Sequence, residues 1–153
     1  MLSRYFAYGS NMNPARVAAR GLAFTALESA RLRGFTLEFH KHSPDHPGAG
    51  HATIAWAPEQ SVEGVLFTLA GPAEIARMDR FERTPINYSR DVVVVEAAQG
   101  PVAAWTYFAN PAVLMPGLRP PRAYLQHLLA GAQYLSADYL ERLRNWPCAD
   151  FEA

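Results

Sequence analysis

This chain has one cysteine, one lysine, no net charge and no long apolar run. Cys148 is the sole cysteine among 153 residues, so no intramolecular disulfide can form and a reducing compartment is compatible. Lys41 is the sole lysine beside thirteen arginines, a compositional bias that by itself assigns no function. Lys plus Arg and Asp plus Glu number 14 each, which leaves no basic excess of the kind that nucleic-acid or membrane-surface binding draws on. No apolar stretch approaches the roughly 20 residues of a membrane span, and the N-terminus carries no long apolar run. A cytoplasmic location is therefore expected. The chain also lacks internal repeats, linkers, a phosphate loop and a Gly-x-Gly-x-x-Gly fingerprint, so nucleotide binding through those motifs is unsupported.

Half of the residues are hydrophobic, enough to enclose one core, and residues 1–153 read as a single domain. Strands are expected at Leu2 to Tyr8, Ala30 to Phe39, His51 to Trp56, Val62 to Leu69, Tyr88 to Ala97 and Val102 to Phe108. The run Val92 to Val95 suits a strand covered on both faces. Gln99-Gly100 closes a hairpin. His40 to Gly50 is rich in turn residues and reads as a loop. Short helices are expected from Asn13 to about Arg20 and from about Ala73 to Phe81, the latter stopped by Thr84-Pro85. The last third takes helical spacing, with two helices or one broken near Leu135-Ser136. Six strands, short helices and a helical C-terminus imply an α+β domain around a curled sheet.

The segment from Tyr5 to Pro14 carries the most chemical information. An aromatic strand runs into Gly9-Ser10-Asn11, and a helix starts at once, with Asn13 as N-cap and Pro14 in the first helical position. Unpaired N–H groups gather at such a junction and attract anions. A carboxylate or a phosphate would suit it. Ser10 is not placed as a nucleophile, because the nucleophile elbow needs glycine two residues to either side and Tyr8 and Met12 stand there.

Glu82 is the second informative residue. On a helical wheel it falls on the stripe of Ile75 and Met78, the face that should be buried. Burial raises a carboxylate's pKa, as general acid–base work near neutral pH requires. The competing reading leaves Glu82 past the helix end, solvated or paired to Arg83 or Arg90. Asp79 is expected to form a surface pair with Arg80 or Arg83. His40, His42, Asp45 and His46 match no zinc spacing, and a solvated loop is the favoured reading, with no metal site.

In this order the pieces resemble the γ-glutamylcyclotransferase family. Tyr5-Phe6-Ala7-Tyr8-Gly9-Ser10-Asn11 is similar to its N-terminal signature. Gly50-His51-Ala52-Thr53-Ile54 with Gly64-Val65 resembles its middle segment, and Met78-Asp79-Arg80-Phe81-Glu82 with Tyr88 and Val92 to Val95 resembles its catalytic segment. Pro121-Arg122-Ala123-Tyr124, Gly131-Ala132 and Tyr139 to Leu143 resemble its C-terminal pattern. The resemblance implies a small mixed β-barrel with flanking helices. It implies a small-molecule γ-glutamyl substrate, cyclised to 5-oxoproline with release of an amino acid or amine, without metal or organic cofactor. Glu82 would be the general acid/base, and Tyr8, Gly9, Ser10 and Asn11 would hold the glutamyl end. Tyr139 would match a tyrosine near the substrate in some members. A homodimer is compatible with the resemblance.

Two departures from the family pattern carry weight: Asn87 replaces a small residue often found before the tyrosine, and a second change bears on the chemistry. The family's glycine after the glutamate is Arg83 here. It would either pair with Glu82 and lower its pKa, or face the pocket mouth and select an acidic or longer leaving group. A rival reading is a small-ligand-binding or interaction domain that keeps the pocket without turnover.

Overall fold

Aromatic and β-branched residues dominate the first two-thirds of the chain, and they form a closed barrel. The computed structural model describes residues 1–149. Its strands are β1 (Arg4–Ala7), β2 (Phe24–His42), β3 (Gly50–Leu69), β4 (Tyr88–Ala97) and β5 (Gly100–Ala109). Around the barrel the order is β1, β3, β2, β4, β5. The long antiparallel hairpin of β2 and β3 supplies most of the wall. β1 lies antiparallel to β3 and touches β5 in parallel at Tyr5 and Trp105, so the barrel is mixed, as expected. The β2–β4 seam is short, pairing Arg31 with Glu96. Glu96 also binds the guanidinium groups of Arg31 at 3.6 Å and Arg33 at 2.7 Å there.

Five strands replace the six expected. His51 to Trp56 and Val62 to Leu69 are two halves of β3, because Ala57 to Gln60 bulge outward instead of turning. Across the hairpin Trp56 pairs with Phe35 and Ser61 with Arg33, so four residues of β3 stand opposite Gly34 alone. Such a bulge bends the strand without ending the sheet. Proline is tolerated at this kind of site, and Pro58 is exposed in it. Two further expectations need correction. Val95 is fully buried, but Val92 and Val94 are exposed, so β4 is covered on one face only. β2 also continues through His42, which shortens the expected loop to residues 43–49.

Phe6, Phe39, Leu66, Phe67 and Met78 are fully enclosed in the core. Each such side chain contributes roughly 1.5–3 kcal/mol by leaving water. Gly64 lets β1 cross tightly over β3, because a Cβ there would collide with the Ala7 carbonyl oxygen. The helices α1 (Pro14–Ala19), α2 (Ile75–Phe81), α3 (Arg122–Leu129) and α4 (Ala137–Arg144) flank the barrel. Asn13 caps α1 by accepting from the Ala15 N–H at 3.1 Å, with Pro14 in the first position as expected. The helical C-terminus is two helices, and Ser136 caps the second. No helix among the described residues is long and apolar enough to cross a membrane.

Candidate active site

β1 ends at Ala7, and Tyr8 and Gly9 lead into a 3₁₀ turn over Ser10–Met12. The first N–H groups of such a turn have no partner within it. Gly9 packs tightly here, since a Cβ would stand 3.0 Å from the Ala52 Cβ and 3.4 Å from the Tyr124 hydroxyl. The Tyr8 hydroxyl donates to the Tyr107 carbonyl at 2.6 Å and so pins the turn to β5. Tyr8, Gly9, Ser10 and Asn11 line a cavity of about 280 Å³.

Glu82 lines the same cavity. It closes α2 as its C-cap, and its side chain is only 16% exposed. The helical stripe of Ile75, Met78 and Glu82 therefore faces inward, as the wheel predicts. The Asn11 side-chain N–H donates to Glu82 Oε1 at 3.0 Å, and the Arg20 guanidinium lies 3.8 Å from the same oxygen. Arg20 also donates to the Asn11 side-chain oxygen, Oδ1, at 3.1 Å. The Asn11 amide further contacts the Tyr5 hydroxyl at 2.9 Å and the Met78 sulfur at 3.3 Å. Both amide hydrogens are thus engaged within the wall, and the Asn11 side chain positions Glu82. Burial pushes the Glu82 carboxyl above its ordinary pKa, opposed by the Arg20 charge and by the Asn11 hydrogen bond.

Neither Arg83 nor Arg90 is the cation that Glu82 meets. Arg90 pairs with Asp79 at 3.3 Å, and the Tyr107 hydroxyl donates to Asp79 at 2.7 Å. Asp79 is thus tied to the barrel wall and not to Arg80 or Arg83. Arg83 is exposed and lines the cavity. Its backbone has φ +50°, in the left-handed region where a side chain is strained and glycine is not.

Tyr139 is not brought to this cavity. It lies on the buried stripe of α4 with Leu143, and the Arg142 guanidinium sits 5.1 Å from its ring centroid. The helical tyrosine of the cavity is Tyr124, on α3. Its hydroxyl accepts from the Ala52 N–H at 3.0 Å. Burial pushes it up to about 12, opposed by the Ala52 hydrogen bond. The His51 ring stacks flat on Tyr124 at 4.3 Å. Burial and then the Lys41 charge push His51 down to about 4, so its ring is neutral near pH 7.

Arg16, Arg20 and Lys41 also line the cavity, none of them singled out from the sequence. Two signals pointed to them. Arg16 and Arg20 stand four residues apart on the helix after the glycine turn, which puts them on one face. Lys41 continues the inward alternation of Leu37 and Phe39 along β2. The histidines of the expected loop have other settings. His40 lies 3.2 Å from Glu38, and no cluster of three or more His, Cys, Asp or Glu that could hold a metal ion occurs among the described residues.

A small closed barrel with a tyrosine-glycine-serine-asparagine turn facing one buried glutamate defines a γ-glutamylcyclotransferase-like class. The family model described as "Gamma-glutamyl cyclotransferase, AIG2-like" matches residues 5–134, and the chain belongs to that family. A solved structure named "Gamma-glutamyl cyclotransferase" is similar, with TM-score 0.84 and 25% identity over 98% of this chain and 90% of the other. An uncharacterized protein from Homo sapiens is similar to the same degree, with TM-score 0.84 and 26% identity over 98% and 90% of the two chains. YkqA from Bacillus subtilis gives TM-score 0.81 and 25% identity over 95% of this chain, which spans 55% of that longer protein. A search of curated proteins finds no match.

Proposed function

We propose that this protein is a γ-glutamyl cyclotransferase, converting a γ-glutamyl amino acid or γ-glutamyl-amine to 5-oxoproline and the free amino acid or amine. The observation that carries the reading is the placement of one buried carboxylate, Glu82, in the same cavity as the turn from Tyr8 to Asn11. Nucleophile and electrophile belong to one substrate, so the protein needs only to fold it and move protons. The substrate's α-amine attacks its γ-carbonyl carbon, and Glu82 takes the proton that the amine loses. Backbone N–H groups at Gly9, Ser10 and Asn11 stabilise the oxyanion or hold the glutamyl carboxylate. As the intermediate collapses, the bond to the leaving nitrogen breaks and Glu82 returns the proton to it. A new C–N bond closes the five-membered ring and no water is consumed.

The raised pKa of Glu82 fits this cycle, because the group must both accept and donate near neutral pH. The Arg20 charge opposes that rise and favours the ionised form that acts as base. The test is formation of 5-oxoproline from γ-glutamyl dipeptides and γ-glutamyl-amines by the wild type and by Glu82→Gln. Turnover is expected for the wild type, with a loss of roughly a hundred- to ten-thousandfold in the variant. No 5-oxoproline from any member of such a panel overturns the reading in favour of a binding domain. Equal activity of the variant removes Glu82 from its assigned role.

A further inference from the structure

The only lysine of the chain is 6% exposed and lines the cavity. Its backbone pairs with His51 across the β2–β3 hairpin, which fixes the start of the side chain. Its ammonium has neither a hydrogen bond nor an ion pair among the described residues. Of the acidic groups around it, Glu82 acts on Lys41 more strongly than Asp45 does, and neither forms an ion pair with it. With its stem buried and its side chain on the cavity wall, the ammonium opens onto the cavity, where an anionic group of a ligand can meet it.

The cationic side chains of the cavity form two groups. Arg16 lies on α1 and Arg20 is its C-cap, which donates to the Asn11 side chain beside Glu82. Lys41 comes from the end of β2 and Arg83 from the turn after α2. The charges acting on Lys41 are those of Glu82, Arg83 and Asp45, and those acting on Arg16 are Arg20 and Glu82. Glu82 is common to both groups, and the neutral His51 ring feels Lys41 as well as Arg16 and Arg20.

A γ-glutamyl substrate has its α-carboxylate on the same carbon as the attacking amine. With that amine at Glu82, the α-carboxylate falls within reach of the neighbouring Arg20 and Arg16. The leaving group hangs from the other side of the γ-carbon and extends toward the mouth, where Pro44, Asp45 and Arg83 are exposed. Lys41 belongs to that end. We infer that Lys41 is a specificity-determining residue that receives a carboxylate of the leaving group, so that the preferred substrates are γ-glutamyl amino acids or peptides and not γ-glutamyl-amines. This rests on the cyclotransferase reading and chooses between its two substrate classes.

The experiment compares γ-glutamylalanine with γ-glutamylethylamide, which differs by loss of the leaving-group carboxylate. A desolvated, charge-assisted contact predicts a wild-type preference of roughly ten- to hundredfold in kcat/KM, expressed mainly in KM. Lys41→Met should bring the ratio of the two kcat/KM values to about one, since any effect of the lost charge on Glu82 is common to both substrates, and Lys41→Arg should restore part of the ratio. Equal use of both substrates by the wild type overturns the inference, as does an equal loss on both in Lys41→Met. If neither substrate yields 5-oxoproline, the cyclotransferase reading is judged on the wider panel, and calorimetric binding of the same two compounds decides the present inference. Tighter binding of γ-glutamylalanine that Lys41→Met abolishes supports a carboxylate site at Lys41; indifference to the carboxylate overturns it.

Discussion

The Asn11 amide and the Glu82 carboxylate meet at 3.0 Å across the cavity wall. Asn11 belongs to the turn after β1 and Glu82 to the end of α2, so one hydrogen bond ties the proposed substrate-holding segment to the proposed base. Arg20 completes the triangle, 3.1 Å from Asn11 Oδ1 and 3.8 Å from Glu82.

That triangle sets the pH dependence. Burial raises the Glu82 pKa, while Arg20 and Asn11 lower it. Removing either lets burial act less opposed, so the ascending limb of kcat/KM against pH moves to higher pH in Arg20→Met and Asn11→Leu. Asn11→Asp moves it the same way by adding a like charge. A limb that stays fixed in all three variants contradicts Glu82 as the titrating base.

Glu82 also has a signature in stability. A folded pKa above the ordinary 4.5 means that the folded chain retains the proton where the unfolded chain has lost it. The contribution is complete below the unfolded pKa and is lost as pH rises through the folded pKa. Glu82→Gln does not titrate, so its Tm relative to wild type climbs across that window and stays high at alkaline pH. Thermal melts at several pH values check this; a constant difference between the two proteins argues against a raised pKa.

Arg83 holds a left-handed backbone at φ +50°. That conformation costs an L-residue roughly 1–2 kcal/mol, offset in part by glycine's greater backbone freedom in the unfolded chain, about 0.5–1 kcal/mol. Arg83→Gly is expected to stabilise by up to about 1 kcal/mol, or roughly 2–4 °C in Tm for a domain of this size. Arg83→Ala keeps the backbone cost and should show no such gain.

Gly9 makes a sharper demand on space. The added methyl of Gly9→Ala would sit 3.0 Å from the Ala52 Cβ and push the turn out of place. A misplacement of about 1 Å costs up to about a hundredfold in rate; the smaller shift forced here predicts a fall of up to about tenfold in kcat/KM for a chain that still folds. Adding Ala52→Gly should recover part of the loss, because the two positions are in direct contact. Absence of any recovery would place the defect elsewhere.

The curled sheet and the helical C-terminus were legible in the sequence because they rest on local period and on turn chemistry, whereas the closed, mixed barrel was implied only by the family resemblance. The join of the two halves of β3 was not, since Ala57 to Ser61 has the composition of a turn and is a bulge only because Gly34 lies opposite. Glu82 was legible from its place on the stripe of Ile75 and Met78. Asn11 was legible as part of the site, but its side-chain role was not: whether an amide faces substrate or a neighbouring carboxylate is decided by residues far along the chain, here at positions 20, 78 and 82. Lys41 was missed for a related reason. The prolines and glycines after it read as a loop, while the inward alternation from Leu37 through Phe39 carries it into the cavity. Tyr139 and Tyr124 both sit near helix starts, and local spacing does not say which helix faces the barrel mouth.

The most direct measurement of the central proposal is the identity of the product formed in heavy-oxygen water. Intramolecular attack predicts 5-oxoproline and free amino acid in equal amounts, with no label in the 5-oxoproline and no glutamate released. Labelled glutamate as the primary product would show water as the nucleophile and contradict the account.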